Sequence, residues 1–517
     1  MIQFFDTLFP KSILIASFIL LLLRGIYTFF IRPYRRVKFY SKMPGSVATF
    51  QLGAKEVKTW TNTEVANLEM EPSNPFRSSK LLEPCFKYPN LRLTASNYLR
   101  KLVISLTEPS LIGEFFKNGK NYEKQYIRSF LNSMYTNAGV TGVEGDEWKF
   151  QRKVIAEAFH FDNIAKTVPI MEETVKEFLD NLRNTQGDAP CDIMDEFHKI
   201  TGEVAGRTFF GQNLNEYKLD GKSLTTALTD LMKMNALLPY NVLYQLLGDI
   251  NLLFSPELRK IKEQTVAFGE FTTQIFRESL KKIERNQMKN EGGRKGLLQI
   301  LVEQGKTGRA LTEKELIANF IVFFIAGTET TGHTANNAVY FLSQYPEVKE
   351  KAMKEIESCW DGKSPLTLEI IQKMDYLHAL IEETLRLGGP TMMLFPRVAM
   401  QDHYLKDVPI KKGTIVFPLF QPSMLSEKHF KDPCTFKPER WIRGSEFYER
   451  PSNPFAFAPF SAGSRNCIGQ HMAMIEAKII LCHFLKKFEF RLTEGYKLEM
   501  VGRFLVEPKD PMTFHLT

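Results

Sequence analysis

The apolar and polar positions divide the chain into a short N-terminal stretch and a long, mostly helical remainder. Ser12 to Ile31 is an apolar run of 20 residues broken by the charge of Arg24. A helix of that length spans about 30 Å, the hydrocarbon thickness of a bilayer. Arg32, Arg35, Arg36 and Lys38 follow at once. The positive-inside rule puts this side in the cytosol and the short N-terminus in the lumen. An arginine at a bilayer centre costs about 2.5–3.5 kcal/mol, but Arg24 lies off-centre and its stem can snorkel. The rival is a cleaved signal peptide, since Ser12 to Leu23 has the length of an h-region. Against it, only Lys11 precedes the run and no small-x-small cleavage site follows. The expected division is residues 1–36 as membrane anchor and 37–517 as one folded domain.

Helical patterns dominate after Asn90. Thr312-Glu313-Lys314-Glu315 reads as a capping box. No proline lies between it and Gln344, and Pro346 closes the run. The spacing predicts a helix of roughly thirty residues, long enough to cross a domain. Its middle, Ile321 to Ile325, is apolar all round and is expected to be buried. Asp375 is placed to cap a second helix, Tyr376 to Leu387, whose Leu377, Leu380, Ile381 and Leu385 recur at helical spacing. Gly388 to Pro418 reads as extended and turn-rich, with Thr414 to Phe417 as a buried strand. The expected fold class is mostly α with small β-sheets (α+β).

Composition adds little division. The chain has 517 residues, yet no linker, repeat or low-complexity tract separates domains. Hydrophobic residues make up 44%, with 42 phenylalanines, enough for one large core and for an apolar pocket. The net charge of +8 is modest, and no basic run interleaved with aromatics suggests nucleic acid. A basic surface still suits an acidic protein partner or anionic lipid. The six cysteines are scattered without a C-x-x-C pair, which indicates neither a zinc site nor a disulfide framework. There is also no P-loop or G-x-G-x-x-G. The nine histidines form no metal-ligand spacing, and His378 and His471 read as packing or surface residues.

The most informative segment is Pro459-Phe460-Ser461-Ala462-Gly463-Ser464-Arg465-Asn466-Cys467-Ile468-Gly469. It holds one cysteine between glycines and an arginine, directly before the helical pattern Gln470 to Phe488. A helix N-terminus and free backbone N–H groups are expected to favour thiolate over thiol there. A thiolate in a glycine-rich loop is what a haem iron needs as axial ligand. A buried structural cysteine is the plainer reading, which the glycines and arginine disfavour. The spacing Phe460-x-x-Gly463-x-Arg465-x-Cys467-x-Gly469 resembles the haem-binding signature of the cytochrome P-450 superfamily.

Four further segments carry the resemblance, in family order. Ala326-Gly327-Thr328-Glu329-Thr330-Thr331 sets small and polar groups in the long apolar helix, where an unpaired glutamate is expensive. Thr hydroxyls bonded back to i−4 carbonyls are the plainer account. The resemblance implies that Gly327 widens the helix for O₂, that Thr330 hydrogen-bonds the iron-bound oxygen, and that Glu329 links it to solvent protons. Glu383 and Arg386 share a helix face; on a surface such a pair is worth about 0.2–0.5 kcal/mol. The resemblance makes them, with Arg440, a buried network bracing the Cys467 loop. It gives Trp148 and Arg152 to a haem propionate, with Arg397 and Arg465 as further propionate ligands, suited by the guanidinium fork. Phe323, Phe324, Met392, Met393 and Leu394 are the expected pocket lining.

The resemblance implies a membrane-anchored haem-thiolate fold, with 37–517 as the catalytic domain carrying haem b on Cys467. FAD, FMN and NADPH are not expected on this chain, so electrons come from an NADPH-dependent flavoprotein reductase or cytochrome b5. The implied reaction inserts one atom of O₂ into an apolar fatty acid, sterol or xenobiotic. The implied location is the endoplasmic reticulum membrane, single-pass, with the catalytic domain cytosolic. A haem-thiolate isomerase or dehydratase of lipid peroxides is the alternative, against which Glu329-Thr330 argues; a non-enzymatic haem sensor is another. Ala326 stands where some relatives carry a haem-esterifying glutamate, so covalent attachment by that route is not expected. The family also places a lipid-dipping region near Asn235 to Phe254, which its apolar pattern alone reads equally as buried core.

Overall fold

The structure is a computed structural model that describes residues 11–52, 55–61, 91–98, 101–125, 129–236, 238, 241–285, 296–304, 309–391, 396–502 and 505–517. Helices make up most of it, with one large and several small sheets.

At the N-terminus, helix Lys11–Ile26 runs through a π-helical turn, Tyr27–Ile31, into helix Arg32–Tyr40. Its stretch Ile15–Tyr40 is long and apolar enough to cross a membrane, and the apolar window has none of its residues buried in the protein. This fits membrane anchoring. The far end is different: Val37 and Tyr40 are buried against Ala48 and Leu93, so the helix docks on the large sheet.

That sheet has seven strands in the order Lys55–Thr61, Ser46–Leu52, Leu93–Tyr98, Lys101–Leu106, Ile415–Pro418, Arg397–Ala399 and Tyr122–Lys124. Strands Leu93–Tyr98 and Lys101–Leu106 fall where helical patterns were expected to dominate. Leu91, Leu93, Ala95 and Asn97 are buried while the residues between them are half-exposed, the period-2 alternation of a strand. The strand expected at Thr414 to Phe417 forms one residue later. Ile415–Pro418 is buried throughout, parallel to Lys101–Leu106 on one side and antiparallel to Arg397–Ala399 on the other. At the edge, Lys124 pairs in register with Arg397.

The long helix is Glu313–Gln344, 32 residues, and the capping box forms as read. Thr312 N–H donates to Glu315 Oε2 at 2.7 Å, and Glu315 N–H to Thr312 Oγ1 at 3.3 Å. Ile321 to Ile325 are all buried. Helix Ile193–Ala205 lies along it; Thr201 Oγ1 donates to the Thr328 carbonyl at 2.7 Å. Helix Gly145–Ala158 is tied to its start through Asn319, whose amide donates to Gln151 Oε1 at 3.1 Å.

The second expected helix spans Asp375–Gly388, but Asp375 does not cap it. Glu355, from helix Pro346–Cys359, accepts the Tyr376 and Leu377 N–H groups at 2.7 and 2.8 Å. A neighbouring helix thus supplies the acceptors that a first turn lacks.

Candidate active site

One cavity brings seven of the candidate residues together: Phe323, Gly327 and Thr330 from the long helix, which also adds Ala326, and Phe460, Arg465, Cys467 and Gly469 from the cysteine loop. Phe159 and Phe209 extend the apolar wall, their rings 5.4 and 5.7 Å from that of Phe323. Phe324 is fully buried and does not line the cavity: one position on, its ring points into the core. Met392, Met393 and Leu394 lie outside the described residues.

The cysteine loop is shaped by its own backbone. Cys467 N–H donates to the Phe460 carbonyl at 2.9 Å. Gly463 has φ +71°, and a Cβ there would meet the Phe116 ring at 2.9 Å, so glycine is required on both counts. Gly469 then precedes helix Gln470–Lys487. Cys467 is open to the cavity, yet it lies deep in the protein. Burial pushes its thiol above the ordinary value, against the downward pull of the Gly469 N–H and Arg152. In the chain alone desolvation thus opposes the bias toward thiolate expected from the loop's N–H groups.

Around this loop the cations outnumber the carboxylates. Arg465 stacks 4.3 Å over the Trp148 ring and pairs with Glu144. Arg397 Nη1 reaches the same carboxylate at 3.2 Å, and the Lys124 backbone N–H donates to it, also at 3.2 Å. Arg152 instead bonds Asn466, beside Cys467. Burial first, then Arg465 and Arg397, push Lys124 down to about 7. Burial likewise pushes Arg465 down to about 10, with Arg397 and Arg152 adding to it and Glu144 opposing. Glu144 was not singled out in the sequence, because its partners Arg397 and Arg465 lie 253 and 321 residues away.

Glu383, Arg386 and Arg440 come together out of solvent, at 0%, 1% and 2% exposure. Arg386 donates to both Glu383 oxygens, at 2.8 Å from Nε and 2.7 Å from Nη2. Arg440 Nε lies 3.3 Å from Glu383 Oε1, and Trp441 Nε1 donates to Oε2 at 3.0 Å. Arg386 also holds the carbonyls of Met424, Pro433 and Thr435, so one side chain gathers the segment before the cysteine loop.

The profile of the Cytochrome P450 family matches residues 95–514. The chain belongs to the cytochrome P450 family. It is 26% identical to cytochrome P450 3A29 of Sus scrofa over 433 residues, covering 81% of this chain and 83% of the relative. It is 25% identical to cytochrome P450 3A12 of Canis lupus familiaris over 425 residues, 80% and 82%. Cytochrome P450 3A13 of Mus musculus is 26% identical over 435 residues, also 80% and 82%. Membership makes this protein a haem-dependent monooxygenase, an oxidoreductase.

The residues present suit that P450 cofactor. An accessible sulfur faces the cavity, and one carboxylate stands among several cations, a surplus of positive charge suited to propionates. The distal helix differs from the implied picture. It runs unbroken through Gly327, whose absent Cβ leaves room for Phe209 and Ala205 at 3.3 and 3.4 Å. Thr330 lines the cavity, with its hydroxyl donating to the Ala326 carbonyl at 2.9 Å. Glu329 does not share that wall. It accepts from Thr229 Oγ1 at 2.8 Å and lines a smaller cleft with Lys233 and Glu507. Successive helical residues point about 100° apart, which separates the pair.

Several cavity residues were missed in the sequence, Phe209 and Glu476 among them. Glu476 lines the P450 cavity, its Oε1 is buried without a hydrogen-bond partner, and burial raises its carboxyl well above the usual range. It sits inside an apolar helical pattern with no local signal of its own.

Proposed function

We propose that this P450 binds haem b through Cys467 and oxidises an apolar substrate — a fatty acid, sterol or xenobiotic — at the endoplasmic reticulum membrane. Electrons come from an NADPH-dependent flavoprotein reductase, with cytochrome b5 as a second donor. Residues 1–36 anchor the chain and 37–517 form the cytosolic catalytic domain. One observation carries the reading: the cavity wall that bears Cys467 faces a helix bearing Gly327 and Thr330, with phenylalanines closing the remainder.

When bound, haem supplies O₂ activation and oxygen insertion. The chain's own residues do the rest. Cys467 gives its sulfur as a ligand, and metal ligation supplies the drive for deprotonation that burial withholds. Arg397, Arg465 and Trp148 hold the propionate end, and Arg152 fixes Asn466 and with it the cysteine loop. Thr330 presents its hydroxyl oxygen to the cavity as an acceptor while its own proton is held on the Ala326 carbonyl. Glu329 takes up protons on the outer face of the same helix. Phe159, Phe209 and Phe323 exclude water and accept an apolar substrate.

A route for such a substrate is supported by Leu243, Leu246, Leu247, Ile250, Leu253 and Phe254. They are 44–75% exposed, which supports contact with lipid on one side of this segment, while Leu238 and Tyr244 pack into a small core on the other. The test is the ferrous–CO spectrum. Cys467→Ser is expected to lose the thiolate-type Soret band, and an unchanged spectrum refutes the ligand assignment.

A further inference from the structure

We propose that His198, His333 and Glu329 form a binding site for a zinc-type divalent cation, on the far side of the long helix from the haem cavity. His198 comes from helix Ile193–Ala205 and the other two from Glu313–Gln344. All three are buried, at 5%, 1% and 6% exposure. His198 Nε2 lies 3.1 Å from His333 Nδ1 and 4.0 Å from Glu329 Oε2, and the three ligand atoms lie within 4.8 Å of one another. Gly332 makes the approach possible: a Cβ there would meet His198 Cδ2 at 2.5 Å.

His333 Nδ1 stands 2.6 Å from the Glu329 carbonyl and 3.1 Å from His198 Nε2, and one ring nitrogen cannot serve both fully. His198 Nε2 has His333 Nδ1 as its hydrogen-bond partner at 3.1 Å, while the Glu329 carboxylate at 4.0 Å is too far to bond. The other end of the ring is the second observation. His333 Nε2 is buried with no hydrogen-bond partner, and the Glu507 carboxylate stands 4.0 Å beyond it. With a cation on Nδ1 the neutral ring carries its proton on Nε2, facing that carboxylate. Metal-bound histidines commonly donate their second N–H in this way.

Two imidazole nitrogens and one carboxylate oxygen, with a fourth position open, are a zinc donor set. Nitrogens about 2.0–2.1 Å from one ion stand little more than 3 Å apart, as these do. Glu329 Oε2, 4.0 Å from His198 Nε2, is the third donor, and its other oxygen accepts from Thr229 Oγ1 at 2.8 Å. The cleft lined by Thr229, Lys233, Glu329 and Glu507 gives access from outside. Lys233 is exposed there, on the same cleft as Glu507. The functional consequence rests on the reading of Glu329 as proton carrier: a bound cation takes that carboxylate out of service.

The test uses the full-length, haem-loaded protein, so that Cys467 is not free for zinc. After equilibration with Zn²⁺ and removal of free metal, atomic emission is expected to find one zinc per chain. His198→Gln and His333→Asn are each expected to weaken retention tenfold or more, with the CO spectrum reporting folding. Zinc K-edge absorption of the wild type needs no variant and is expected to show two imidazoles with oxygen. No retained zinc, a sulfur-bearing shell, or equal retention in folded variants overturns the site. Zinc held by these residues without raising peroxide release upholds the site and overturns Glu329 as proton carrier.

Discussion

Arg152 grips Asn466 at two points: Nη1 donates to its main-chain carbonyl at 2.9 Å and Nη2 to its side-chain Oδ1 at 2.7 Å. Asn466 immediately precedes Cys467, so the fork sets the position of the sulfur. Lysine keeps the charge and loses the fork. A hydrogen bond to a charged group is worth about 1.5–3 kcal/mol. Arg152→Lys is therefore expected to lower the haem content of purified protein, read as the Soret-to-protein absorbance ratio. An unchanged ratio removes Arg152 from the positioning of the loop.

Glu383 accepts from Arg386, Arg440, Trp441 and the Lys437 N–H, all at 3.3 Å or less. Removing one partner of a buried pair costs about 3–5 kcal/mol, because the charge left behind cannot reach water. For Glu383→Ala we expect little folded protein and no haem incorporation. Recovery of a normal yield of red protein contradicts the network's role as a brace.

Lys124 gives stability a pH dependence. Its pKa is about 7 in the folded chain and near 10.5 unfolded, so between those values the unfolded chain holds more protons. The contribution of Lys124 is most unfavourable below pH 7 and improves as pH rises toward about 10.5. In haem-free protein, Lys124→Met is expected to raise the melting temperature at pH 6 and to flatten its rise with pH. Parallel melting curves across pH 6–10 for the two proteins count against this.

Thr330 lines the cavity, whereas its neighbour Glu329 opens to the outer cleft. Thr330→Ala is expected to release several-fold more hydrogen peroxide per electron consumed, and Thr330→Ser, which keeps the hydroxyl, to restore much of the coupling. Equal peroxide yields in the three proteins exclude this hydroxyl from proton handling.

Features carried by residues close in sequence were legible. The capping box at Thr312 and Glu315 and the buried run Ile321 to Ile325 depend only on a few neighbouring side chains. Features set by distant partners were not. Nothing near Asp375 says that Glu355 takes the first-turn N–H groups. Nothing near Glu144 says that two arginines from other elements meet it. His198 and His333 are 135 residues apart, so no ligand spacing relates them. Phe324 and Glu329 read as site residues by neighbourhood, but helical rotation turns both away from the cavity. The alternation at Leu93 to Tyr98 was present in the sequence, yet too short to stand out beside the helical patterns around it.

The borrowed start of helix Asp375–Gly388 has a bearing on assembly order. Its first turn is completed only when helix Pro346–Cys359 has docked. The ion pair at its other end cannot settle until the helix itself is in place. The region that braces the cysteine thus leans on two contacts made by a side chain of another helix. Glu355, far from any chemistry, supports the frame that receives the pigment.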